Sequence, residues 1–122
     1  MRSRLALLSR AMARVIAAAL LAACSGAPSE SEFIATCTKE GESVVAQRRD
    51  KQMGVNRAAF CKCAAQEAKL TLSADGQRAT LLVMQGKKEE ARAITGKMSG
   101  PEQEAHLLAG FSIMQKCIGS PR

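Results

Sequence analysis

The chain has 122 residues and a formal net charge of +7. Four of its 18 basic side chains (Arg2, Arg4, Arg10 and Arg14) fall in the first 23 residues, which hold no acid; the other 99 residues carry 14 basic and 11 acidic groups, a net of +3. That length holds one small domain, and so even a charge balance argues against a dedicated nucleic-acid binder, which needs Lys and Arg clustered on one face.

The N-terminus reads as an export signal. A long basic region, Arg2 to Arg14, precedes an unbroken apolar run over residues 15–23. About 20 apolar residues are needed to span a bilayer, so this run is too short for a stable transmembrane helix. It has the length of a signal-peptide hydrophobic region. Met12, just before it, is a second candidate start.

The run ends in Leu21-Ala22-Ala23-Cys24. This resembles the lipobox of bacterial lipoproteins: Leu, two small residues, then the Cys that is lipidated. The resemblance covers residues 1–24. It implies diacylglycerol on the Cys24 sulfur, cleavage after Ala23 and acylation of the new amine with a palmitate-type chain. Two or three acyl chains suffice for stable membrane anchoring. Ser25 rather than Asp after the Cys implies the outer membrane if the host is Gram-negative, and the domain is expected to face the periplasm. Residues 24–31, small, polar and broken by Pro28, read as a tether. The domain itself is expected over residues 32–119, with a tail at 120–122.

The rest reads as helices separated by Gly. The first is expected from about 32 to 51, with Phe33 and Cys37 on one face continued by Val44 and Val45, and with Gly41 as a break or kink. Gly54 suits its C-terminal turn, and Asn56 suits the next N-cap. The second, about 57–70, is Ala-rich and carries Phe60, Cys61, Ala64, Ala65 and Ala68. The third follows Ser73 as N-cap, with Asp75 favoured by the helix dipole. Ala79, Leu81, Leu82, Val83 and Met84 form its apolar side, and Gly86 ends it. The fourth, about 87–97, is short and charged, its Lys-Lys-Glu-Glu start a solvated face. The fifth opens on the capping box Ser99-Gly100-Pro101-Glu102. Leu107, Phe111, Met114 and Ile118 then make one stripe, widened by Leu108 and Cys117 and closed by Gly119. No stretch alternates at period two. The three Phe residues, Phe33, Phe60 and Phe111, are expected in one core where the first, second and fifth helices meet.

Five Cys is an odd count. Lipidation of Cys24 leaves Cys37, Cys61, Cys63 and Cys117, and an oxidising compartment permits two disulfides. Residues two apart on a helix point about 200° apart, so Cys61 and Cys63 do not readily bond each other there. One is expected to pair with Cys37 and the other with Cys117, in either order. The rival reading of Cys61-Lys62-Cys63 is a copper or redox site, helped by Met53, Met84, Met98, Met114 and His106. This Cys pair is one residue short of the usual zinc and thioredoxin-type spacing.

Catalytic chemistry is thin. His106 is the only imidazole, and a hydrolytic triad needs a base beside a nucleophile. Glu102 and Glu104 lie two apart and do not share a helix face. There is no Gly-rich phosphate loop and no HExxH. The pattern Phe33-x-x-x-Cys37, Phe60-Cys61-Lys62-Cys63, Leu72-Ser73 and Cys117 resembles small four-cysteine helical proteins exported by proteobacteria. That resemblance implies an all-α stapled fold and no activity. The expectation is therefore an all-α, disulfide-stapled bundle of four to five helices behind a signal peptide and short tether. It is expected to be a lipid-anchored, non-catalytic protein of binding or envelope maintenance, without cofactor or nucleic acid, with the membrane and an envelope protein as partners. The alternatives are a periplasmic copper or redox protein using Cys61, Cys63 and His106, and an inhibitor or immunity-type partner.

Overall fold

The computed structural model describes residues 26–119. Cys24, the lipobox and the tail lie outside the described residues. Six helices follow in order: α1 Glu30–Glu40, α2 Val44–Met53, α3 Arg57–Thr71, α4 Ala74–Met84, α5 Lys88–Thr95 and α6 Gly100–Ile118. There is no strand among the described residues. None of these helices is long and apolar enough to cross a membrane.

Local chemistry accounts for most boundaries. Ser29, Ser43, Asn56, Ser73 and Ser99 each adopt extended backbone and accept a hydrogen bond from an N–H of the first turn they precede. Among the described helices, only α5 starts without a side-chain cap. Gly54 closes α2 in the left-handed region at φ 66°, a conformation that costs a residue without Cβ nothing.

The long first helix expected from the sequence is two helices. Gly41 itself is helical in φ and ψ; Ser43 makes the break by turning extended and capping Ala46 N–H at 3.1 Å. The turn rotates α2 out of register with α1. Val44 and Val45 therefore lie exposed rather than continuing the Phe33–Cys37 face.

α3 is the centre, with α1 and α6 packed on it and α4 against α1 and α5. Its Cys61, Ala64, Ala65 and Ala68 are buried at i, i+3, i+4 and i+7, and the methyl side chains let neighbours approach closely. Phe33, Leu72, Leu81, Ile113 and Cys117 complete the core. Two disulfides join the layers: Cys37–Cys61 ties α1 to α3, and Cys63–Cys117 ties α3 to α6, with Cα separations of 5.6 and 5.5 Å. Cys61 and Cys63 thus reach opposite neighbours, and the order of pairing is settled.

The three-Phe core is corrected. Phe33 is 5% exposed, Phe60 is partly buried and Phe111 is 69% exposed. The reason lies on α6. Ala109, Ile113 and Cys117 turn inward, since the bond to Cys63 presents that face to α3. The stripe Leu107, Phe111, Met114 stands about a third of a turn away at 100° per residue, and all three are exposed. The methionines divide likewise: Met98 is buried, Met84 partly so, and Met53 and Met114 exposed.

Candidate functional site: an apolar groove

An open groove of about 540 Å³ runs between α1, α2, α3 and α6, with α4 contributing to its wall. Helix periodicity brings its lining together. Phe33, Cys37 and Glu40 stand at i, i+4 and i+7 on α1; Arg49, Asp50 and Met53 at i, i+1 and i+4 on α2. Phe60 and Ala64 come from α3, Met84 from α4, and Leu107, Gly110, Phe111 and Met114 from α6. The exposed stripe of α6 is thus a wall of the groove.

Charge enters this lining at one cluster. Arg57 Nη2 and Nε donate to the two oxygens of Asp50 at 2.6 and 2.8 Å, and Nη1 donates to Glu40 Oε2 at 3.1 Å. Arg49 reaches the other Glu40 oxygen at 3.4 Å. The guanidinium of Arg57 also lies over the Phe60 ring, 5.5 Å from its centroid. The hydrogen bonds to Asp50 raise Arg57 above its ordinary pKa against the opposing effect of burial, with the charges of Asp50 and Glu40 helping. Gly41 makes room for this clamp: a Cβ there would stand 2.6 Å from Arg57 Nε.

His106 is partly buried on the first half of α6, at the junction of the groove and a smaller cleft beside α5. Its Nδ1 is buried with no hydrogen-bond partner. It faces Gly76 so closely that a Cβ there would be 3.0 Å away. The nearby Thr80 hydroxyl donates to the Gly76 carbonyl at 2.9 Å. The lining therefore offers apolar contact and one charged cluster.

Of the residues singled out in the sequence, Cys37, Cys61, Cys63 and Cys117 are joined in pairs. The sulfurs of Cys61 and Cys63 are taken up in those bonds. With His106 they form no ligand set: among the described residues no group of three or more His, Cys, Asp or Glu is placed to hold a metal ion. Nothing in the sequence marks the Arg57 clamp, because Glu40, Asp50 and Arg57 lie on three successive helices and meet only through the turns between them. The groove wall had a signal. α6 carries two apolar stripes, more than one packed face can use.

These features define an all-helical, two-disulfide domain with an apolar groove closed by one ion-pair cluster. No family model, curated protein or solved structure matches the chain.

Proposed function

We propose that the chain is a lipid-anchored protein of the cell envelope, and that its helical domain binds an apolar ligand in the groove close to the membrane surface, without catalysis. The observation that carries this is the exposure of Leu107 (63%), Phe111 (69%) and Met114 (45%) along one groove wall. Large apolar side chains gathered on one exposed patch mark an interaction site. A groove of about 540 Å³ falls in the range of about 300–1,000 Å³ common to small-ligand sites.

The anchor rests on Leu21-Ala22-Ala23-Cys24 and on a tether that ends at the Ser29 cap of α1. Residues 24–29 span at most about 20 Å fully extended, so the domain stays beside the bilayer. Two disulfides suit an oxidising compartment. The reading is tested by feeding labelled palmitate to cells making the full chain. It expects label on the wild type and none on Cys24→Ser, which loses its membrane association. An unlabelled wild type, or a Cys24→Ser chain processed as before, removes the anchor.

A further inference from the structure

We infer that the groove takes a single acyl chain bearing an anionic head group, with the hydrocarbon against the α6 wall and the head at Arg49. This rests on the reading of the groove as a binding site and names its ligand class.

The distribution of polarity comes first. The charged side chains of the lining form one bonded cluster, Glu40, Arg49, Asp50 and Arg57, and most of the remaining wall is apolar. An amphiphile with one charged end matches that division. A peptide strand does not, because its amide groups would lie against apolar side chains without partners, a costly burial.

The sign of the head group follows from which charge is free to move. Arg57 is held by two bonds to Asp50 and one to Glu40. Arg49 is half exposed and keeps one bond, at 3.4 Å, to a carboxylate already engaged by Arg57. An exposed pair of that kind contributes little, so Arg49 can turn to a new anion at small loss. Its planar fork suits a carboxylate or phosphate. On the same short helix, Arg48 and Lys51 are exposed and have no ion-pair partner among the described residues, which leaves the local field positive.

The test uses the full chain in isolated membranes and two photoreactive probes: dodecanoic acid, and its neutral glycerol monoester with the same diazirine chain. Label should map to residues 107–114 with both probes, about fivefold more with the acid. Arg49→Gln should remove that excess and leave labelling by the ester unchanged; Phe111→Ser should lower both. Both side chains are exposed, so neither variant threatens the fold. Equal labelling by acid and ester, unmoved by Arg49→Gln, overturns the anionic head and leaves the groove standing. No label on α6 from either probe overturns the groove as a binding site as well. Cross-links joining two copies through α6 would make the wall a self-interface and end the proposal.

Discussion

Arg57 closes a two-bond fork on Asp50, seven residues back in sequence and across the α2–α3 turn, with both side chains mostly shielded from water. The pair fixes how α2 leaves the end of α1, since Arg57 also holds Glu40. That in turn sets the charged end of the groove. Removing one partner of a shielded pair strands the other's charge. Arg57→Met should therefore lower unfolding stability by about 2 kcal/mol. Adding Asp50→Leu should recover part of the loss. Urea midpoints of the oxidised protein read both; a double variant worse than Arg57→Met by a further full step would contradict the pairing.

Gly41→Ala probes the same clamp from the other side. Its new methyl would press on Arg57 Nε, Cδ and Cγ, all within 2.8 Å. Displacing a side chain held by three bonds should cost about 1–2 kcal/mol. In an Arg57→Met background, with a more yielding side chain, most of that cost should vanish, because the two changes share one contact. Additive losses in the double-mutant cycle would show that Gly41 serves some other purpose.

The two disulfides close loops of different length, at sequence separations of 24 and 54. On the chain-entropy model, loss of Cys37–Cys61 by paired Ala substitution should cost about 3.5 kcal/mol, and loss of Cys63–Cys117 about 4 kcal/mol. For a domain of this size either loss is a large share of the total stability. Thermal unfolding of the two paired variants gives the order; a far larger effect from the shorter loop would point to packing at fully buried Cys61 instead.

The two stripes of α6 should respond in opposite ways. Ile113→Ala empties a core position and should cost about 2–4 kcal/mol. Phe111→Ser alters a side chain that is already in water and should stay within about 0.5 kcal/mol of the wild type. If the Phe111 variant unfolds as readily as the Ile113 variant, the stripe is core and the groove is lost with it.

His106 offers a change in the other direction. Its Nδ1 is shielded without a partner, and an unpaired buried polar atom costs free energy. His106→Leu, similar in bulk, should raise stability by about 1 kcal/mol. A drop of that size or more on denaturant unfolding would mean that the ring makes a favourable contact at Gly76 that leucine cannot replace.

Much of this fold is legible in the residues. Asn56, Ser73 and Ser99 act as caps because a short oxygen-bearing side chain meets an orphan N–H, a local event that needs no knowledge of the fold. The opposed directions of Cys61 and Cys63 follow from helical pitch alone. What the residues could not disclose is tertiary. Gly41 looks like a flaw in a helix until Arg57 is seen lying over it. Leu107, Phe111 and Met114 look like core because they are apolar and periodic. The choice of which α6 stripe faces inward is made by Cys117, through its bond to Cys63. The same ambiguity hid the groove.

The most direct test of the binding claim is the native mass of the full-length protein released gently from membranes. The expected species is a non-covalent single-chain anionic amphiphile, one per molecule, that leaves on collisional activation and is depleted in Phe111→Ser. A wild-type chain with both disulfides closed and no retained ligand would contradict it.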